Sequence, residues 1–476
     1  MDQMDPGDMV LSDRVRIDGT VTQVTLTTGG QLRWPGRCLV IKKEVLCFSV
    51  EGSQIKIRAI VERGAGICCG GGYTSPLLRK TFSLDFESIS EESLRLWSHK
   101  LQEFMDSLGR PKRLFIFVNP YGGKKSASKI FHDDVKPLLE DANIEYALQE
   151  TKYQLHAKEV VHSLDLSKYD GIVCVSGDGI LVEVVNGLLE REDWETAIKI
   201  SLGVIPAGTG NGMAKSLLDS VGEPCTASNA TISIIRGHKR LLDVATISQG
   251  QTKFFSVLML AWGLIADIDI ESEKYRWMGS ARIDFYALQR IVFLRRYNGC
   301  IRFLAAPGYE VHGEPIKLPD ICLGDGPKSG YCGPTVDPHN SNWRKIDGPF
   351  ISVWLHNVPW GAEHTMAAPD AHFSDGYLDL VLIKDCPKLA LLSLLSELNN
   401  GGHVKSPLVL YIKVKAFVLE PGSVVEDPSK DGIIDVDGEV LARGRRTYKC
   451  EKKTLMAYDR LHIGVDQGLA SIFSPI

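Results

Sequence analysis

Short apolar runs separated by turn residues occupy positions 10 to about 108: VRIDGTVTQVTLT, RCLVIKKEVLCFSV, SQIKIRAIVE and KTFSLDF. Their near-alternation predicts antiparallel strands of a half-buried sheet. The period then changes. In SEESLRLWSHKLQEFMDSL, Leu94, Trp97, Leu101 and Met105 recur at helical spacing, and Ser90, Glu91 and Glu92 supply a cap and an acidic first turn. One helix should therefore pack on the sheet.

A different pattern begins behind the basic linker Arg110-Pro111-Lys112-Arg113. LFIFVNP is an almost unbroken apolar strand that ends in Asn-Pro, as a buried parallel strand does. Helical and strand signals then alternate: SKIFHDDVKPLLEDA, EYALQET, HAKEVVHSL, GIVCVSG, ILVEVVNGLLE and SLGVIPAG. Such alternation predicts βαβ units around a parallel sheet. After about residue 240 strands dominate, interrupted by two helical stretches, SARIDFYALQRIVFLRRY and PKLALLSLLSEL. The Gly-, Pro-, Ser- and Asn-rich segment 324–347 reads as a long, mobile surface insertion. At 476 residues the chain is too long for one core. The expected division is 1–110, 111–240 and 241–476.

Composition narrows the picture slightly. The chain is 44% apolar and 24% charged, ordinary for a globular protein, and its net charge of -5 gives no global attraction to nucleic acid. Its 11 cysteines, of which only Cys68 and Cys69 are adjacent, lack zinc spacing, and the acidic start MDQMDPGDMV does not resemble a secretory signal. Reduced thiols in a cytoplasmic protein are expected. The uncharged run FFSVLMLAWGLIA reads as a buried strand and turn, short of the ~20 residues that span a bilayer.

Three glycine-rich turns follow apolar strands in the α/β half, where an open sheet presents its ligand site. The first is Asn119-Pro120-Tyr121-Gly122-Gly123-Lys124-Lys125; its glycines would admit phosphate oxygens to backbone N–H groups, and its lysines add charge. Alone it carries little, and it is not a Walker A loop. The second, Ser176-Gly177-Asp178-Gly179, sets a carboxylate between glycines, where it could accept a proton from an attacking hydroxyl. The third, Pro206-Ala207-Gly208-Thr209-Gly210-Asn211-Gly212, leads into a helix whose N-terminus favours anions.

In this order, NPxGGK, SGDG and PAGTGN resemble the diacylglycerol-kinase-type catalytic domain, shared by lipid kinases and distantly by NAD kinases. The segment AWGLIADIDIESEKYR closely resembles the sphingosine kinase branch, and the whole chain looks like a plant-type long-chain-base kinase. The resemblance implies an α/β plus β-rich fold: a two-domain core of an α/β nucleotide domain and an antiparallel β-sandwich domain. A pleckstrin-homology-like β domain precedes it. Activity is implied as well, namely transfer of the γ-phosphoryl group of ATP, with Mg2+, to a sphingoid base at a membrane surface. Asp178 would be the general base. Nucleotide contacts would come from Asn119, Tyr121, Gly122, Gly123, Lys124, Thr151, Ser176, Gly177, Gly179, Glu183, Gly208, Thr209, Gly210, Asn211, Arg276, Arg282, Gly438 and Glu439. Tyr121 and Lys125 depart from the arginine and glycine common in relatives, which bears on the first loop's fine geometry.

By the same resemblance Asp269 would contact the sphingoid headgroup, with Asp267 beside it, and an acid there suits an ammonium that needs a partner when buried. Asp437 is the metal-ligand candidate. Phe285, Leu288, Ile291, Val292 and Leu294 could form a lid or entry wall, or simply core. Lys42, Lys43 and the 110–113 linker could meet anionic lipid. Ceramide or diacylglycerol remain alternative acceptors, and a non-catalytic lipid-binding adaptor is the reading from another class.

Overall fold

The computed structural model describes residues 8–62, 77–86, 91–123, 125–279, 281–316, 330–337, 339–448 and 454–475. Lys124 and the Cys68-Cys69 pair lie outside them. The N-terminal runs form a seven-stranded antiparallel sheet, with Met9–Ile17 and Leu77–Asp85 as central neighbours. The predicted helix, Glu91–Ser107, lies on it with Trp97 and Leu101 buried. Trp97 Nε1 donates to Asp13 Oδ2 at 2.7 Å, so a ring that fills the core also satisfies its polar edge.

The expected parallel sheet follows, in the order Glu145–Glu150, Arg113–Val118, Gly171–Ser176 and Ser201–Pro206. Apart from the edge strand Glu145–Glu150, its strands are almost unbroken apolar runs, as helices on both faces require. Phe115, Phe117, Ile172 and Cys174 point to one core, and Leu114, Ile116, Val173 and Val175 to the other. The helical path from Ala127 to Asp141 carries a π-turn at Phe131–Val135. Pro137 explains it, since a proline lacks the N–H and crowds the carbonyl four residues earlier.

The β-rich part runs Glu439–Arg443, Ile433–Val436, Met259–Gly263, Ser352–His356, Leu378–Ile383, Leu410–Val424 and Leu461–Phe473. That last strand is antiparallel to Lys239–Gln249 and Leu410–Val424, and parallel to Ser201–Pro206 through Ser201 and Leu202. The chain's final strand thus joins the two catalytic parts into one continuous sheet.

Three expectations change. FFSVLMLAWGLIA is not a strand and a turn: Thr252–Ser256 and Met259–Gly263 are separate strands, and the helix Leu264–Glu271 follows at once. Within 324–347, Trp343–Asp347 is a strand paired with Tyr297–Ala305, and Tyr331 stacks on Trp194 with centroids 4.5 Å apart. Aromatic anchoring draws this polar stretch onto the core. The basic linker is not free for lipid at Arg110, whose guanidinium donates to the carbonyls of Val45 (2.7 Å), Leu46 (3.0 Å), Lys42 (3.1 Å) and Ile41 (3.2 Å).

Arg110 therefore clamps the N-terminal domain to the α/β domain. Hydrogen bonds from a charged donor contribute roughly 1.5–3 kcal/mol each, less when one group shares them. Arg110→Ala should lower the stability of the N-terminal domain by about 2 kcal/mol, read from Trp97 fluorescence during urea unfolding; an unchanged midpoint would contradict the clamp.

Candidate functional site

The three glycine turns meet backbone to backbone. A Cβ at Gly208 would lie 2.3 Å from Gly177 Cα, and one at Gly123 would lie 2.9 Å from Gly208 C. No side chain fits at either contact, and Gly123 also has φ +53°. Two helices, Asp178–Leu189 and Gly212–Asp219, begin where the turns converge. Their positive dipole ends favour negative charge at the junction, and at the second helix the Gly212 and Met213 N–H groups are already taken by the Asp178 carboxylate.

Side chains hold each turn in shape. Asn119 Oδ1 accepts from the N–H groups of Tyr121 (3.1 Å) and Gly122 (3.2 Å), which closes the first turn. Ser176 is buried, and its carbonyl accepts from Ala207 N at 3.1 Å, tying the second turn to the third. Asn211, left-handed at φ 57°, accepts from Gly208 N at 2.8 Å and donates to Glu363 Oε1 at 2.6 Å. Thr151 is buried, its N–H bonded to Val118 O at 2.9 Å beside the first turn. Tyr121 is 68% exposed.

Asp178 is more enclosed than a carboxylate projecting between glycines should be. Oδ2 accepts from Gly212 N at 2.9 Å and Oδ1 from Met213 N at 3.0 Å. One carboxylate thus starts one helix and caps the next. Burial raises its pKa above the usual aspartate range, against the Met213 and Gly212 amides. Glu183 accepts from Leu155 N (2.8 Å) and Ala157 N (3.0 Å), anchoring the turn that leads into His156–Ser163. Burial pushes it up to about 7, and Glu439 adds to the rise.

The β-rich part closes over the junction at two places. Trp360 N donates to Ser216 Oγ (3.0 Å), its Nε1 to Asp219 Oδ2 (3.0 Å), and Glu363 N to Gly210 O (2.8 Å). On the other side Glu439 accepts from Gln154 Nε2 at 3.1 Å, and a Cβ at Gly179 would sit 3.6 Å from Glu439 Oε1. Gly438, at φ 79°, makes the turn that presents it.

Asp437, in the same turn, does not fit a metal-binding role. Its carboxylate accepts from Ser256 Oγ (2.9 Å), Val257 N (3.2 Å), Leu258 N (3.1 Å) and Met259 N (2.6 Å). Those donors use its lone pairs to fix a strand junction, and burial lifts its pKa to about 7. Among the described residues no group of three or more His, Cys, Asp and Glu could hold a metal ion.

The acid pair is divided by the unforeseen helix. On Leu264–Glu271, residues two apart face away from each other. Asp267 is buried, and its Oδ2 accepts from Tyr297 OH (2.6 Å) and Arg295 Nη1 (3.1 Å), with Arg290 Nε at 3.4 Å. It is neutralised by arginine rather than available to a headgroup. Asp269 stays partly exposed on the other face, one turn beyond Ile265. Ile265 lines a narrow apolar cavity of about 20 Å3 with Leu264, Val381, Ile383, Leu391 and Leu394.

The profile of the diacylglycerol kinase catalytic domain matches residues 113–247, and that of the YegS C-terminal NAD kinase β-sandwich-like domain matches 341–457. Sphingosine kinase 1 of Arabidopsis thaliana is 62% identical over 99% of this chain and 97% of its own length. The chain belongs to the sphingosine kinase family. Sphingosine kinase 2 of the same plant is 61% identical, over 98% of this chain and 97% of its own. A solved structure of a proposed diacylglycerol kinase from Bacillus anthracis str. Sterne shares the fold at 19% identity and a TM-score of 0.51, covering 77% of this chain and 96% of its own.

Within this kinase fold, most expected nucleotide residues sit on the converging turns or directly support them. Arg276 and Arg282 lie on other elements, and the side chain of Arg276 is outside the described residues. Arg276 belongs to the Ser272–Met278 turn segment; Arg282, near the start of Ala281–Val292, keeps a buried Nη1 without a hydrogen-bond partner among the described residues. Trp360, Glu363 and Ser216 were not foreseen. The only cue to the first two was the short WGAE turn, which carries no motif.

Gly208→Ala should weaken ATP binding at least tenfold, about 1.4 kcal/mol, by titration calorimetry, since its Cβ would separate the turns. Unchanged affinity would mean that the contact does not shape the phosphate site.

Proposed function

We propose that this chain transfers the γ-phosphoryl group of ATP to the primary hydroxyl of a sphingoid long-chain base. The observation that carries this is the convergence of three glycine turns and two helix N-termini around Asp178. Phosphoryl transfer needs charge stabilisation and alignment more than covalent catalysis. The backbone amides of the Gly122-Gly123, Gly177–Gly179 and Gly208–Gly210 turns bind the phosphates, with Lys124, Arg276 and Arg282 adding positive charge. Gly438 and Glu439 close over the nucleotide.

Asp178 accepts the proton of the acceptor hydroxyl as its oxygen attacks the γ-phosphorus and the bond to ADP breaks. Each carboxylate oxygen spends one lone pair on an amide and keeps another for that proton. The amides also fix the carboxylate's orientation, which a general base requires. A Mg2+ ion would be held mainly by the phosphates of the nucleotide and would offset their charge, since no cluster among the described residues offers a protein cage.

Asp269 pairs with the ammonium of the base, and the tail enters the cavity below it. The support is positional: Ile265, which lines that cavity, and Asp269 are four residues apart and share a helix face. About 20 Å3 holds roughly one water, so the tail must displace the Lys388–Ser396 helix to enter. Membrane contact is peripheral. Phe285, Leu288 and Val292 form an exposed apolar stripe on Ala281–Val292, while Tyr286 and Ile291 face inward. No helix among the described residues is long and apolar enough to cross a membrane.

Labelled ATP should phosphorylate sphingosine and phytosphingosine but neither ceramide nor diacylglycerol. Asp178→Asn should lower kcat by about 10²–10⁴. Asp269→Asn should raise KM for the base at least tenfold, with KM for ATP within twofold. Label in ceramide or diacylglycerol instead would overturn the acceptor assignment; full activity in Asp178→Asn would remove the general base.

A further inference from the structure

A second cavity, of about 420 Å3, opens between the helix Ala281–Val292 and the open end of the 433–443 hairpin. Lys274, Arg290, Arg295, Lys430 and Arg446 line it, with Glu271 as the single acid among the described residues of its wall. Behind the wall Asp267 is shared by Arg290 and Arg295, and Glu271 pairs with Arg295 at 2.9 Å. Asp427 lies 4.0 Å from Arg446 at the rim. Cations outnumber acids even when Arg446 is set against Asp427.

Arg290 is the decisive residue. It is 4% exposed, and neither its Nε nor its Nη2 has a hydrogen-bond partner among the described residues. Its one ion pair among the described residues, to Asp267, is a loose 3.4 Å contact. A buried guanidinium with unused donors on a cation-rich cavity has the chemistry of an oxyanion site, since its planar fork matches phosphate. Burial lowers the pKa of Lys274 and of Lys430; Arg295 and Arg290 push the same way, and Glu271 opposes them.

This is not the nucleotide site. Asp437-Gly438-Glu439 is the closed end of the hairpin and reaches Gly179, while Lys430 and Arg446 flank its open end. At roughly 3.3 Å per strand residue, those ends are on the order of 15 Å apart.

We infer that this cavity binds a phosphate monoester anion through Arg290, Arg295 and Lys430, at a site separate from the one that holds ATP. Glu271 and Asp267 tie the cavity to the Leu264–Glu271 helix, which also carries Asp269. The inference stands on the cavity's own charge and does not require the acceptor assignment.

The test is a binding measurement on the full chain with its nucleotide site saturated by a non-hydrolysable ATP analogue. Inorganic phosphate, titrated against chloride at matched ionic strength, should raise the Tm of the wild type. In Lys430→Ala/Arg446→Ala, built from residues at the cavity mouth, that rise should fall at least fivefold while affinity for the analogue stays within twofold. Arg290→Lys, which keeps the buried charge but loses the fork, should also lose most of it. Flotation with phosphatidylcholine vesicles, with and without a lipid phosphate monoester, identifies the source. Capture that needs both the lipid phosphate and Lys430/Arg446 assigns the site to a headgroup; phosphate binding without such capture assigns it to a soluble phosphate. An equal Tm rise in wild type and double variant, or none in the wild type, would overturn the proposal.

Discussion

Everything at the catalytic junction depends on three main-chain turns approaching more closely than any side chain allows. The 2.3 Å that would separate a Cβ on Gly208 from Gly177 Cα is a steric prohibition, well inside van der Waals contact. Because these residues have no Cβ, amides from three different strand ends can face one small volume. Two helices start at that volume and supply N–H groups with no partners inside the helix. On the proposed function, phosphate recognition falls to the backbone, and the side chains nearby mostly hold that backbone in place. Asn119 shapes the first turn, Asp178 spans two helix starts, Glu183 fixes a fourth loop, and Asn211 closes the third turn.

The β-rich part completes this arrangement. Trp360 and Glu363 reach the helix and turn around Asn211, and the Gly438-Glu439 turn lies over Gly179. Both contacts are fixed relative to the parallel sheet because the final strand, Leu461–Phe473, belongs to both parts. Asp437 adds rigidity at the hairpin turn by binding the corner between two strands. That role also explains why a deeply buried acid beside the proposed nucleotide site is a poor metal ligand.

Much of this was legible in the chain itself. Continuous apolar strands alternating with helical periods gave the parallel sheet, and the glycine motifs marked the three turns that the fold brings together. What was hidden depends on long-range contacts. The helix Leu264–Glu271 escaped notice because its apolar residues continue those of the preceding strand without a cap or a change of composition. Missing that helix made Asp267 and Asp269 look like neighbours, although the helix turns one toward arginines and the other toward solvent. Polarity likewise made 343–347 read as loop, where Trp343 pins a strand to the sheet. Glu363 could not be foreseen, since its partner Asn211 lies far away in sequence.

The central claim, that main-chain glycine turns form the phosphate site, is tested most directly by a crystal structure with a non-hydrolysable ATP analogue and Mg2+. The account predicts phosphate oxygens roughly 2.7–3.2 Å from amide nitrogens of the Gly177–Gly179 and Gly208–Gly210 turns, with the nucleotide beneath Gly438 and Glu439. Phosphates held by side chains elsewhere, with those amides bonded only to water, would contradict it.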